Sequence, residues 1–154
     1  MALAFQLSKN QSDAEDIYQD VFVKAWKSIK SFRMESEFFT WLYRITVNTF
    51  LTHQKKLSRM NIQDSDSDSG YDLLNWVSHS PMESEKSEEI YSAVETAVKA
   101  LPEKQKTAFI LKHMQHLKIR EIAGIMDISE GTVKKYLFRA MEKMRIELKE
   151  YRYA

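Results

Sequence analysis

Residues that break helices are scarce in this chain, which has three glycines and two prolines among 154 residues. Glycine and proline interrupt helices, whereas the turns that connect β-strands depend on them. Their scarcity therefore favours helix over sheet. The apolar share of 44% is enough for one or two small domains with buried cores. The pattern predicts an all-α protein.

The first strong helix start lies at Ser12. Ser12 and Glu15 have the spacing of a capping box, in which each side chain accepts a hydrogen bond from the other residue's backbone amide. Behind this box, apolar residues recur at three- and four-residue steps, which predicts one broad buried stripe along the helix. The stripe consists of Ala14, Ile17, Tyr18, Val21, Phe22, Ala25, Trp26 and Ile29.

A second helix, rich in aromatic side chains, is predicted from about Ser36 to Lys56. Its core positions are predicted at Phe38, Phe39, Leu42 and Ile45. The neighbouring Trp41, Tyr43 and Arg44 leave two interpretations open. They either complete the core or stack on unpaired bases, as such residues do in proteins that bind single-stranded nucleic acid. The pattern by itself favours the core.

Charge divides the chain into three parts. Residues 1–60 contain nine basic and six acidic residues, a net charge of +3, and residues 99–154 contain thirteen and seven, a net charge of +6. Residues 61–98 between them contain one basic and nine acidic residues, a net charge of −8. The stretch from Gln63 to Tyr71 is rich in Ser and Asp and cannot bury a core. We therefore predict a flexible acidic linker over residues 58–85.

The C-terminal part has the most specific local pattern. A short helix over Ile119–Met126, a tight turn and a long helix from about Thr132 to Lys149 form a predicted helix-turn-helix. The inner stripe of the long helix is predicted at Val133, Leu137, Ala140, Met144 and Leu148.

Three basic residues begin the outer face of that long helix: Lys134, Lys135 and Arg139. Early residues of a recognition helix reach base edges in the major groove, while lysine and arginine also pair with phosphates. DNA binding is one interpretation of this face. A plain helical hairpin with solvated basic side chains is the other.

The sequence excludes or disfavours several other functions. Because cysteine is absent, a disulfide framework and a thiolate metal site are excluded. His113 and His116 have the spacing of metal ligands on a helix, but no third ligand accompanies them, so neither a metal nor a cofactor is predicted. No nucleophile–base pair or phosphate-binding loop indicates an enzyme. No apolar run reaches the roughly 20 residues of a membrane span, and the N-terminus lacks a secretory signal, so we expect a soluble cytoplasmic protein.

Three longer strings resemble a known family. The strings DAEDIYQDVFVKAW (13–26) and FRMESEFFTWLYRITVN (32–48) resemble regions 2.2 to 2.4 of the extracytoplasmic-function (ECF) sigma factors of the sigma-70 family. The string LPEKQKTAFILKHMQHLKIREIAGIMDISEGTVKKYLFRAMEKM (101–144) resembles their region 4. The order and spacing of the strings also match, and the likeness is greatest to the RpoE-like, envelope-stress type.

The resemblance implies two small helical domains that act without catalysis. Residues 1–57 would form an N-terminally incomplete sigma region 2, residues 58–85 the linker, and residues 86–154 region 4 with its helix-turn-helix. Such a protein binds core RNA polymerase through the β′ clamp and the β flap, recognises the −10 and −35 elements of promoter DNA, and aids promoter melting. An anti-sigma factor is the expected regulator, and no insertion into a membrane is expected.

The family's site residues carry over position by position. By resemblance, the polymerase-binding face consists of Asp16, Gln19 and Asp20. The −10 element would be bound by Phe32 and Asn48, which hold a flipped base, with support from Trp41, Tyr43 and Arg44. The −35 element would be contacted by Lys134, Lys135 and Arg139. The sequence departs from the family pattern at Lys118, where Ser or Thr is frequent, and at Lys135–Tyr136, where Ser-Arg is common. The promoter sequence that this chain recognises therefore cannot be carried over from the family.

Two other classes of protein compete with this interpretation. A stand-alone transcriptional repressor or activator would explain the helix-turn-helix, but it leaves the strings within residues 13–48 unexplained. A helical adaptor that binds only protein would show no salt-dependent affinity for DNA.

Overall fold

The computed structural model describes residues 2–8, 10–35, 37–60 and 85–153. Over these ranges the chain forms seven α-helices and no β-strand, which confirms the predicted all-α fold. The helices are α1 (Ala2–Leu7), α2 (Gln11–Ser28), α3 (Phe38–Arg59), α4 (Glu85–Lys99), α5 (Glu103–Phe109), α6 (Ile119–Met126) and α7 (Glu130–Glu147). Most of the predicted linker, residues 61–84, lies outside the described residues. None of the described helices is long and apolar enough to cross a membrane.

The N-terminal domain (residues 2–60) is a three-helix unit. The short helix α1 packs against both α2 and α3, and α2 packs along α3. Its core is formed by the fully or almost fully buried Leu3, Leu7, Ile17, Val21, Val47 and Phe50.

The start of α2 differs from the prediction. The helix begins at Gln11, and its N-cap is Asn10, whose side-chain oxygen accepts a hydrogen bond from the backbone amide of Asp13 at 2.8 Å. The prediction of a capping box at Ser12 is wrong, because Ser12 lies exposed in the first turn. Glu15 accepts instead from the Gln11 side chain at 2.8 Å. Asn and Ser are equally good caps, so the sequence pattern did not separate them.

The buried stripe of α2 is narrower than predicted. Ala14, Ile17 and Val21 are fully buried, but Phe22 is 59% exposed and Trp26 is 73% exposed. The physical reason is that α1 and α3 cover one side of α2 and leave the flank of its apolar stripe open. Exposed positions on this flank also include Tyr18 and Ile29.

The aromatic start of α3 is also more exposed than predicted. Phe38 and Phe39 occupy the first turn of the helix and are largely accessible to solvent, so their assignment to the core is wrong. Leu42 and Ile45, one turn further on, are half-buried and pack against the core as predicted.

The C-terminal domain (residues 85–153) has the predicted helix-turn-helix. The first helix, α6, ends at Asp127 in the left-handed conformation with φ of 55°, and Ser129 caps α7 by accepting from the Thr132 amide at 3.1 Å. The long helix α7 packs against α4, α5 and α6. Its predicted inner stripe is confirmed: Val133, Ala140 and Met144 are buried, and Leu137 and Leu148 pack against the core.

The two domains also pack against each other. Helix α3 contacts α6, and the buried apolar residues of both domains form one continuous cluster. The sequence pattern did not predict this contact.

The cap of α2 supplies a stability test with a built-in control. Replacement of Asn10 by Ala removes the hydrogen bond to the Asp13 amide, so we expect a loss of about 1 kcal/mol in the free energy of unfolding. Ser12→Ala should change it by less than about 0.5 kcal/mol, because the Ser12 side chain caps nothing and Ala favours helix. Urea denaturation followed by circular dichroism measures both. A larger loss for Ser12→Ala than for Asn10→Ala would move the cap back to Ser12.

Candidate nucleic-acid interfaces

The recognition helix α7 presents a basic outer face. Lys134, Lys135 and Arg139 are all exposed, and they lie opposite the buried Val133 and Ala140. None of the three makes an ion pair within the described part of the chain, so their charges are free to meet a polyanion. The structure therefore brings the three predicted basic residues together on one accessible surface.

An aromatic side chain that sequence reasoning missed lies within this basic face. Phe138 is 64% exposed and follows Lys134 by one helical turn. Its four-residue spacing from Lys134 was the available signal, because residues four apart share a face of a helix. An exposed aromatic ring among basic residues can contact the methyl group of a thymine in the major groove.

A second accessible face lies on α3. Trp41, Arg44 and Asn48 are spaced by three and four residues, so they form a stripe along one side of the helix. Arg44 and Asn48 are exposed, and Trp41 is half-buried. The buried side of the same helix contains Val47 and Phe50, which fixes the orientation of the stripe.

Phe32 lies beside Trp41 at one end of this stripe. Its ring centroid lies 5.1 Å from that of Trp41 and 6.0 Å from that of Phe38. Phe38 in turn lies 5.5 Å from Trp41 and 5.8 Å from Phe39. These are ordinary distances for aromatic pairs, so the four rings form one partly exposed aromatic cluster. Sequence reasoning missed Phe38 and Phe39 as members, because it assigned both to the core.

Tyr43 lies on a different face of α3. Its hydroxyl donates a hydrogen bond to Oε1 of Gln115 in the C-terminal domain at 2.9 Å. A phenol at its ordinary pKa of 10.0 is already protonated at neutral pH, and burial raises the pKa of Tyr43 further, so its hydroxyl is able to donate. The structure thus separates Tyr43 from the four other residues predicted to contact the −10 element.

The predicted polymerase-binding residues lie together on α2. Asp16, Gln19 and Asp20 are exposed and point away from the core of the N-terminal domain. The exposed rings of Phe22 and Trp26 lie beside them on the next turns of the same helix. Accessible aromatic rings are enriched where proteins bind one another, so this part of α2 is a candidate surface for a protein partner.

The histidine pair shows no features of a metal site. Among the described residues, no group of three or more potential ligands could hold a metal ion. The His113 ring packs on Phe109, with centroids 4.6 Å apart. Burial, together with the charges of Lys112 and His116, lowers the pKa of His113.

Comparison with known proteins covers both domains. The family model for sigma-70 region 2 matches residues 1–60, and that for sigma-70 region 4 matches residues 91–144. The chain is 39% identical over 139 residues to the ECF RNA polymerase sigma-E factor of Haemophilus influenzae, covering 86% of this chain and 73% of the relative. It is 36% identical over 136 residues to the sigma-E factor of Escherichia coli K12, covering 84% and 71%.

Solved structures agree in fold. The sigma factor RpoE of Bartonella quintana, in complex with the anti-sigma factor NepR, matches with a TM-score of 0.73 and 29% identity, covering 96% of this chain and 88% of that one. CnrH, in complex with the cytosolic domain of CnrY, matches with a TM-score of 0.64 and covers 96% of this chain and 79% of its own. At 20% identity, the second match shows the fold alone.

The chain has a three-helix domain beside a helix-turn-helix domain, and family models for sigma-70 regions match both. This combination defines a DNA-binding factor that acts in the initiation of transcription. More narrowly, the chain belongs to the extracytoplasmic-function sigma factors. It directs RNA polymerase to promoters through their −10 and −35 elements and aids promoter melting. The competing interpretations as a stand-alone regulator and as a protein-only adaptor are therefore wrong.

The role of the basic face of α7 can be tested by measuring promoter binding. Lys134→Ala and Arg139→Ala should each weaken recognition of the −35 element by holoenzyme. A residue that contacts a base should cost about 1–3 kcal/mol and relax specificity at one base pair. A residue that contacts only phosphate should weaken all sequences alike and flatten the salt dependence by roughly one unit. Binding to promoter fragments with each base pair varied, at several salt concentrations, separates the two.

Lys104→Ala is the matched control, because Lys104 is also exposed but lies on α5 and not on the outer face of α7. It should leave promoter binding unchanged. Equal effects of Lys104→Ala and Lys134→Ala would show that the total charge matters and the face does not.

Proposed function

We propose that promoter recognition by this sigma factor is divided between the two accessible faces described above. The face formed by Trp41, Arg44 and Asn48 of α3, together with the preceding Phe32, captures an unpaired base of the −10 element. The outer face of α7 binds the duplex −35 element through Lys134, Lys135 and Arg139. The observation that supports the division best is the stripe on α3, which runs from an aromatic cluster to an exposed amide on a helix whose other side is buried.

Base capture by α3 is energetically reasonable. Unstacking and flipping one base costs a few kcal/mol. Stacking of a base on an aromatic ring contributes about 1–3 kcal/mol of binding free energy. The Phe32–Trp41 pair offers such a ring at one end of the stripe. The Asn48 amide can both donate to and accept from a base edge. Arg44 is exposed between them and would pair with the phosphate backbone. Tyr43 lies on another face and is not part of this proposed pocket.

The exposed surface of α2 is the proposed binding site for core RNA polymerase. Asp16, Gln19 and Asp20 would meet the β′ clamp, and the adjacent rings of Phe22 and Trp26 would supply apolar area that is otherwise left in water. The C-terminal domain would contact the β flap. In this role the chain acts by binding alone, and the chemistry of RNA synthesis stays with the polymerase. Because RNA polymerase acts in the cytoplasm, the proposed role places the chain there.

An anti-sigma factor is the proposed regulator. RpoE of Bartonella quintana, which shares 29% identity with this chain, was solved in complex with the anti-sigma factor NepR. The match extends over 96% of this chain, so a partner of the same class would find a similar pair of domains here.

The polymerase site can be tested without disturbing the fold. Asp16→Ala and Asp20→Ala should impair binding to core polymerase while changing the free energy of unfolding by less than about 0.5 kcal/mol, because both carboxylates are exposed. Pull-down of core polymerase, with circular dichroism of the free chain, measures both properties. If the two variants lose helical structure to the same extent as they lose polymerase binding, Asp16 and Asp20 have a structural role and do not bind the polymerase directly.

The −10 pocket depends most directly on Asn48. Asn48→Ala should preserve binding to core polymerase and to duplex −35 DNA, because the side chain is exposed on α3, whereas the sites proposed for these partners lie on α2 and α7. It should reduce formation of the open complex, with a defect that depends on the base at the captured position. Permanganate footprinting on linear and premelted promoters measures the melting.

Thr52→Ala is a suitable control for this variant. Thr52 lies one turn beyond Asn48, is exposed, and uses its hydroxyl to bond the backbone carbonyl of Asn48 at 2.8 Å. Its replacement should not alter base preference. If Asn48→Ala melts every promoter variant as well as the parent chain, Asn48 is not part of the pocket.

A further inference from the structure

All the sulfur in this chain belongs to methionine. The sequence has eight methionines and no cysteine. Thiolates, which react readily with peroxides, are therefore absent, and an oxidant that reacts with sulfur here must react with a thioether. Oxidation converts the flexible apolar side chain of methionine into a polar sulfoxide, and methionine sulfoxide reductases reverse the change.

Met34 is the most accessible methionine in the part of the chain that the structure describes. Its side chain is 85% exposed, compared with 58% for Met60 and 41% for Met141. Met126 and Met144 are buried in the core. Since accessibility controls which thioether an oxidant in solution meets, we expect Met34 to react first.

The backbone at Met34 is strained. Its φ of 57° lies in the left-handed region, where the Cβ atom of an L-residue crowds the following carbonyl oxygen. Asp127 has a similar φ, but its short polar side chain tolerates this region and a long apolar one does not. A strained backbone that holds an apolar side chain in water does not stabilise the free chain. Strain of this kind is concentrated at sites that serve a function.

Met34 lies beside the aromatic end of the proposed −10 face. It follows Phe32 by two residues, a backbone distance of at most about 7 Å, and Phe32 lies 5.1 Å from the ring of Trp41. The methionine side chain adds the reach of three rotatable bonds. A base stacked on the Phe32–Trp41 pair is therefore within reach of the Met34 thioether. Sulfur in this form packs favourably on aromatic rings, and nucleobases are aromatic.

We propose that Met34 is a reversible oxidation site whose sulfoxide weakens capture of the −10 base. A lone pair of the Sδ atom attacks one oxygen of hydrogen peroxide and the O–O bond breaks. The sulfur keeps that oxygen as a sulfoxide, and the other oxygen leaves as water after proton transfer. A reductase supplied with a thiol returns two electrons, releases the oxygen as water and restores the thioether. The proposal rests on the −10 face proposed above and adds a regulatory site to it.

The selectivity of the reaction can be measured on the full chain. Limited treatment with hydrogen peroxide, followed by peptide mass spectrometry, gives the rate of sulfoxide formation at each methionine. Met34 should be oxidised before Met60 and Met141, and Met126 and Met144 should be oxidised last. Slower oxidation of Met34 than of Met60 would overturn the proposal.

The effect on function is measured after peroxide is removed and the chain is combined with untreated core polymerase. Oxidation of the parent chain should reduce open-complex formation roughly two- to tenfold, the range that corresponds to a lost sulfur–aromatic contact. Met34→Leu keeps an apolar side chain without sulfur, so its melting should be the same before and after treatment. Met60→Leu is the matched control and should lose activity on treatment like the parent. Both sulfoxide reductases together, one for each epimer, should restore the oxidised parent.

Two results would contradict the role of Met34. One is unchanged melting by a parent chain that carries the Met34 sulfoxide. The other is an equal loss of activity in treated Met34→Leu, which would show that another residue is responsible. The −10 face itself is tested separately by untreated Asn48→Ala, so failure of the proposed function can be distinguished from failure of the oxidation site.

Discussion

The packing of Phe50 is the interaction on which the arrangement of the molecule depends. This side chain is fully buried on the inner side of α3, where α1 and α2 complete the core of the N-terminal domain, and the amino group of Lys106 approaches its ring from the C-terminal domain. Burial of a phenylalanine side chain contributes about 1.5–3 kcal/mol. Because α3 uses this side for packing, Trp41, Arg44 and Asn48 are left on the opposite, accessible side. The face proposed to bind the −10 element is thus a direct consequence of how the core is built.

The same division between a buried and an accessible side applies to α7, whose outer face is proposed to bind DNA. Val133, Ala140 and Met144 anchor α7 in the core of the C-terminal domain, so Lys134 and Arg139 are held outward on a rigid helix. A rigid element presents its side chains with little loss of conformational entropy on binding. The contact through Gln115 adds a constraint of another kind, because it restricts the distance between the two faces and leaves each of them exposed.

The local features of this fold could be predicted from the sequence, and the contacts between distant segments could not. Periodicity placed the helices and the inner stripe of α7, because both depend on residues three or four positions apart. It overestimated the burial of Phe22 and Trp26, since a pattern cannot show how many neighbouring helices will cover a stripe. The family resemblance placed Tyr43 with the −10 residues, whereas its hydrogen-bond partner lies 72 positions away in sequence. The resemblance to ECF sigma factors supplied the site residues, and spacing alone would have assigned most of the aromatic ones to the core.

The central claim is that one face of α3 meets the −10 element while one face of α7 meets the −35 element. Site-specific photo-crosslinking in the promoter complex with core polymerase tests it most directly, with p-benzoylphenylalanine placed at position 48 or at position 139. The account predicts that position 48 crosslinks to the non-template strand within the −10 element, and that position 139 crosslinks to duplex DNA within the −35 element. Crosslinks from position 48 to polymerase alone, or from both positions to the same element, would contradict it.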